Sequence, residues 1–389
     1  MSQYPKVNAP MKGWPCYALP KGASTDEIRA MAVKAMRDAL TVKWVAPDYY
    51  TLDKYMTDLS ARFLHFRPDR VYSGMAYTNG NTGILTWLQF YDFQTGLMKT
   101  DMPTLVYQLG NACFIGAMWG WSAVLPDWWL WNAPDTFLQE DVVPVGPYRL
   151  EREKWIFLHD YSTTALCKLN GEQVLYESYA CVKPADLLSY RRPEDDHTTM
   201  VVEDPVVVRN DDGTINGEAS YVMVQEQAFC GAPIEEDGQA VYHYGNTAHK
   251  CFFKGLWNAQ FIPYSHKIFT GEKPYIPARI DLEGVKDGVH NWDELKACTV
   301  YSPYKIISIE TSILEGIEGG CAVRSYQKQV LMRRHHELTY SLRYPGRALP
   351  DLDWIDCSKM EKGKTYRYEV SMMVATGETF KPISFPFIY

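Results

Sequence analysis

The chain has 389 residues, a formal net charge of -8 and 46% hydrophobic content, enough apolar material for two or three domains with sizeable cores. The mildly acidic balance, with no run of like charges forming a tail, gives no hint of a nucleic-acid partner. No segment approaches the roughly 18 consecutive apolar residues of a membrane span. Nine cysteines, an odd number with no CxxC pair, speak against a disulfide framework or a cysteine zinc site and for a reducing compartment.

Residues 1–23 are rich in Pro and Gly and read as a surface wrap. Ser24 or Thr25 caps a helix, with Glu27 placed for a capping box and Ile28, Met31, Ala32, Ala35, Met36, Ala39 and Leu40 forming one apolar stripe that stops before Pro47. A second helical stretch is expected over 51–65. Gly and Asn residues in RVYSGMAYTNGNTG (70–83) imply a loop that approaches something closely, and a helical pattern resumes over 84–92.

The stretch YQLGNACFIGAMWGWSAV (107–124) follows. Gly110-Asn111 signals a turn that delivers Cys113 to the first turn of an apolar helix, marked by Phe114, Ala117, Met118, Trp121 and Val124 at three-, four- and seven-residue spacings. A helix N-terminus lowers a cysteine pKa and makes the thiol a candidate nucleophile; a buried core cysteine is the plainer alternative. Trp128, Trp129 and Trp131 then sit in a Pro-bounded loop that either walls a substrate cleft or plugs the end of the core.

From about 172 the apolar period changes to two, with strands expected at 186–190, 197–209 and 219–227, the last two joined by the turn NDDGTING. The segment 228–290 reads as loop-rich, and short alternating segments recur over 299–389. A nucleophile helix followed by an antiparallel sheet is an α+β order. The division expected is 1–295 for that α+β domain with a helical extension and 296–389 for an Ig-like β-sandwich.

A cysteine hydrolase needs a nucleophile, an imidazole that takes and returns its proton, and a polar group that orients the imidazole. His197 opens the second expected strand, and Glu226 on the next one is placed to hold its ring, with Gln227 as second choice on the opposite face. Other groups are set aside. His243 and His249 with Cys230 and Cys251 match no zinc spacing, His335-His336 read as solvated, and Asp211-Asp212-Gly213 is turn chemistry rather than a calcium loop. No metal or cofactor is therefore expected.

YSGMAY with Tyr72 and Tyr77, NAC with Cys113, PADLL at 184–188, DHT with His197, and Glu226-Gln227 occur in that order. Together they resemble the papain-like cell-wall hydrolases of the NlpC and CHAP type, over about 65–230. The departures are Ala112-Cys113-Phe114 where Asp-Cys-Ser is usual, Ala185 in place of the Gly of PGD, and Asp196 in place of the Gly before the histidine. The resemblance implies a papain-like fold and a cysteine peptidase or amidase working through a thioester. Cys113 is then the nucleophile, His197 the base and acid, and Glu226 the orienting group, acting on a peptide or peptidoglycan stem-peptide substrate. It also implies that Tyr77 contacts the substrate's amine end, with Tyr72, Trp128 and Trp129 as further substrate contacts. Acyl transfer to an acceptor other than water uses the same residues. The alternative from another class is a papain-like domain without turnover that binds a wall glycan or a protein. A wall hydrolase is exported, whereas the amino terminus MSQYPKVNAPMKGWPCYALPKG lacks the apolar core of a signal peptide; a removed leader and a cytoplasmic location both stay open.

Overall fold

The computed structural model describes residues 15–46, 66–74, 91–92, 97–98, 119–126, 141–150, 163–192, 195–227, 232–245, 247–297, 299–304, 306–316, 322–329, 339–341 and 360–389. The chain is a mixed α+β protein with few helices and several antiparallel sheets among the described residues. None of their helices is long and apolar enough to cross a membrane.

Helix α1 (Thr25–Thr41) forms where the stripe places it. Ser24 and Glu27 complete the capping box: the Glu27 amide donates to Ser24 Oγ at 3.3 Å and the Ser24 amide to Glu27 Oε2 at 2.8 Å. Ile28, Ala32, Ala35, Met36, Ala39 and Leu40 are buried, and so is Arg29.

The central sheet has six antiparallel strands: β1 (Val142–Pro144), β2 (Leu187–Arg192), β3 (Asp195–Val201), β4 (Tyr221–Gln225), β5 (His249–Phe252) and β6 (Ile262–His266), in the spatial order β5-β4-β3-β2-β6-β1. Strand side chains alternate between faces, and the two faces belong to two buried clusters. Leu187, Met200 and Tyr264 face the first cluster, which holds α1 and Trp119, Trp121, Val124 and Leu125. Leu188, Val201, Val222 and Val224 face the second. That side is covered by α2 (Thr163–Asn170), α3 (Glu172–Tyr179) and α4 (Phe253–Asn258), through Leu166, Leu175, Tyr179 and Phe253.

Several sequence expectations change here. Residues 172–179 are helical, not part of a period-two region: Leu175 and Tyr179 repeat at helical spacing, and Gly171 at φ 80° separates α2 from α3. The strand expected over 197–209 stops at Val201. Pro205 has no amide hydrogen to continue the ladder, and beyond it only single bridges join Val206 to Tyr221 and Arg209 to Ile215. The segment expected to be loop contributes β5 and β6, each too short to show a clear period. Tyr91–Asp92 is a strand paired with Leu97–Met98, not the end of a helix, and the helix expected at 51–65 lies outside the described residues.

A smaller sheet orders Lys43–Trp44, Val71–Ser73, Gln239–His243 and Ile234–Glu236. The close approach expected for the 70–83 loop occurs at Gly74: a Cβ there would stand 2.7 Å from the Leu40 carbonyl oxygen. Toward the carboxy terminus, Ile306–Glu315, Ala322–Gln329, Thr365–Val374 and Thr379–Ile388 form antiparallel pairs. Asp281–Glu283 pairs with Thr299–Tyr301, which pairs with Thr339–Ser341. Ile306, Tyr368 and Phe385 share the first cluster with α1, and Tyr304 Oη donates to the carbonyl oxygens of Ile276 and Val124 at 2.9 and 3.1 Å.

Candidate active site

The β2–β3 hairpin sets Tyr190 opposite His197, and β3 meets β4 with Val201 opposite Val224. Alternation then places His197, Thr199 and Val201 on the second-cluster face together with Tyr190 and Val224, and Glu226 follows Val224 on the same side. His197 Nε2 lies 2.6 Å from Glu226 Oε2. The side chains are 23% and 15% exposed, enough cover to keep the charge-assisted hydrogen bond from being fully screened. The Tyr190 ring stacks on the imidazole at 5.8 Å between centroids, and Phe261 meets it edge-on at 6.0 Å. A carboxylate only accepts, so Nε2 carries the proton and Nδ1 is the basic nitrogen of the neutral ring. The two side chains expected to meet are thus in hydrogen-bond contact. A second imidazole stands near: His249 Nε2 is 3.9 Å from Glu226 Oε1.

The thiols near this face are poor nucleophiles. Burial, and secondarily the Glu226 charge, pushes Cys251 up to about 11. Burial pushes Cys167 up to about 12, and burial with the neighbouring Glu177 charge also raises Cys181. A thiol with a raised pKa holds little thiolate near neutrality. Cys113, Tyr77, Trp128 and Trp129 lie outside the described residues. The end of the cysteine stretch is described: residues 119–122 are helical, and Trp121 Nε1 donates to the Ala185 carbonyl oxygen at 2.7 Å. Gly120 allows that turn to sit between α1 and the sheet, since a Cβ there would meet the Ala32 carbonyl oxygen at 2.6 Å and the Met200 side chain at 2.8 Å. This is the sheet face opposite to His197 and Glu226.

The remaining expected site residues are placed differently. Tyr72, expected to touch substrate, is 1% exposed and stacks on Trp44 at 4.6 Å with its hydroxyl accepting from the Arg67 amide at 2.9 Å; its ring packs the core. Gln227 is buried beyond the end of β4, one residue past Glu226 and so on the other face, and it is Glu226 that meets His197. Asp186 of the PADLL motif is a structural anchor. Its Oδ2 accepts from the Lys183 amide at 2.8 Å and its Oδ1 from Arg29 at 2.7 Å. Burial raises its pKa against the opposing pull of Arg29 and Ser265.

Sequence reading missed Tyr190 and Phe261 as walls of the imidazole and His249 as its neighbour. A signal existed for Tyr190, because the hairpin leaves two residues between Arg192 and Asp195 and so fixes which residue faces His197. Among the described residues no group of three His, Cys, Asp or Glu side chains has the geometry to hold a metal ion. In comparison with known proteins, the chain matches no family profile and no curated protein.

Proposed function

We propose that the chain is a papain-like cysteine hydrolase of the NlpC and CHAP type that cleaves amide bonds in peptides, with peptidoglycan stem peptides as the substrate class. The observation that carries the proposal is the His197–Glu226 hydrogen bond of 2.6 Å across neighbouring strands of an antiparallel sheet. Ala185 adds support: it stands where the resembling motif has Gly, yet holds φ 74°, the left-handed conformation Gly favours. In this reading the Cys113 thiol gives its proton to His197 Nδ1 and its sulfur attacks the amide carbonyl. His197 then returns the proton to the leaving amine, and a water deprotonated by His197 cleaves the thioester. Glu226 holds the Nε2–H tautomer throughout and stabilises the imidazolium. Tyr77, Trp128 and Trp129 are the substrate contacts in this proposal, and the carboxy-terminal strands are an Ig-like β-sandwich.

A second reading is favoured by one observation: Trp121, at the described end of the cysteine stretch, packs on the face opposite to the His197–Glu226 pair. In that reading the domain binds a glycan or protein without turnover. Iodoacetamide alkylation of each cysteine across about pH 5 to 9, where an unperturbed thiol titrates near 8.5, separates the two when read by mass spectrometry in wild type, His197→Ala and Glu226→Gln. The hydrolase reading requires Cys113 to react fastest below pH 7 and to slow at least tenfold in His197→Ala. A Cys113 rate indifferent to His197 leaves the binding reading.

A further inference from the structure

We infer that His249 is a positioning residue that shares Glu226 with His197, so that a proton on His249 draws part of the carboxylate's charge away from the base. The inference rests on reading His197 and Glu226 as an acid–base pair.

Strand β5 pairs with β4 so that His249 faces Val224 and Cys251 faces Val222, which brings both side chains to the face that carries His197 and Glu226. His249 Nδ1 lies 3.3 Å from the Thr247 carbonyl oxygen. A carbonyl oxygen only accepts, so Nδ1 must carry a proton there. In the neutral ring, Nε2 would then turn a lone pair toward Glu226 Oε1, 3.9 Å away; in the charged ring it turns an N–H toward that oxygen. Only the charged form is attracted to the carboxylate in this orientation. Oε2 is held by His197 at 2.6 Å, and Oε1 of the same carboxylate stands within ion-pair reach of His249.

Among the described residues, the other groups on the strands beside His249 do not supply a competing charge. Cys251, on the same strand and face, is kept as a neutral thiol by its burial and by Glu226. Lys250 points the other way, its ammonium 4.3 Å from the Tyr221 ring centroid. From β4 the facing charge is Glu226, and from β3 it is His197. A charged His249 disfavours a second positive charge on His197, so His197 sheds its proton at lower pH and stays available as a base further into the acid range.

The test follows the imidazole NMR signals of the full chain from about pH 4.5 to 8.5, a range that brackets the ordinary histidine midpoint. It compares wild type, His249→Gln, His249→Lys, Glu226→Gln and the Glu226→Gln/His249→Gln double variant, with His197→Gln to assign the signal. Removing His249 is expected to strengthen proton binding at His197 by roughly threefold or more, the size of one unit charge at several ångströms near a protein surface. His249→Lys, which keeps a cation over the whole range, holds the His197 midpoint at or below the wild-type value. In the Glu226→Gln background the added His249→Gln change has a much smaller effect, because the shared anion is gone. A His197 titration that superimposes in wild type and His249→Gln overturns the inference. The hydrolase reading fails on a different readout, the independence of Cys113 alkylation from His197, and a shifted His197 midpoint would survive that failure.

Discussion

His266 makes the acid stability of the fold a quantitative test of how the core is built. The residue ends β6 and caps α5 (Lys267–Thr270): its Nδ1 accepts from the Ile268 amide at 3.2 Å. Trp121 and Phe269 pack around the ring at 6.0 and 6.2 Å. Burial lowers its pKa to about 4; Lys273 and Lys267 push the same way and Asp141 opposes them. Protonation would put a hydrogen on the nitrogen that now receives one. The sign follows from linkage: a base depressed in the folded state contributes stability that is present above its unfolded pKa and is lost as the pH falls toward the folded value. The window runs from about 6.5 down to about 4, and at roughly 1.4 kcal/mol per pH unit the loss comes to about 3 kcal/mol. His266→Asn keeps an oxygen that can cap Ile268 but does not titrate. Urea unfolding at half-unit intervals from about pH 7 to 4 should show the wild type losing about 3 kcal/mol more than the variant across that window. Parallel curves for the two proteins would refute the assignment of that proton to His266, whatever the absolute stabilities.

Arg29 and Asp186 form a buried ion pair at 2.7 Å, with Arg29 also donating to the carbonyl oxygens of Phe269 and Pro184. Arg29→Met should cost about 3 to 5 kcal/mol by leaving the carboxylate uncompensated, and Arg29→Met/Asp186→Leu should recover much of it in denaturant titrations; a double variant as unstable as the single one would count against the pair. At Gly245 a Cβ would stand 2.5 Å from the Leu40 carbonyl oxygen, so Gly245→Ala should cost about 2 kcal/mol or more through overpacking, measured as a shifted urea midpoint with unchanged slope. Ala185 is fully buried at φ 74°. Relief of about 1 to 2 kcal/mol of left-handed strain offsets the lost methyl, so Ala185→Gly should lie within about 1 kcal/mol of wild type, while Ala39→Gly inside α1 should cost about 1 to 2. Equal costs at the two sites would refute the strain argument.

What the sequence shows clearly is local. The capping box, the apolar stripe of α1 and the strands around Leu187, His197 and Tyr221 each depend on residues within one element. The strands at 306–315, 365–374 and 379–388 are legible for the same reason: ten residues at period two leave little ambiguity. What it hides is set by distant partners. Nothing near Arg29 in the sequence announces that a charged residue on α1 is buried, because Asp186, Ser265 and Phe269 that receive it come from three later segments. Tyr72 looks available on a Gly-rich loop, yet its ring is enclosed by Trp44, Phe66 and Tyr244. Strands of four and five residues such as β5 and β6 carry too little pattern to be read before the sheet that receives them is known.

The position of His197 is tied to the anchor formed by Asp186, because both are set by the register of one hairpin. Asp186 stands immediately before β2, and Arg29 fixes it to α1. Thr198 Oγ1 meets Ser189 Oγ at 2.5 Å on one face, and His197 meets Tyr190 on the other. A one-residue slip of β3 would exchange the two faces, burying the imidazole among the Ser189 and Tyr264 hydroxyls and exposing Met200 to the opposite side. Both faces are filled by different chemistry, so the slipped register loses on each. The buried ion pair thus bears on the His197–Glu226 contact from the far side of the sheet: it holds the start of β2, β2 holds the register of β3, and that register presents His197 to Glu226.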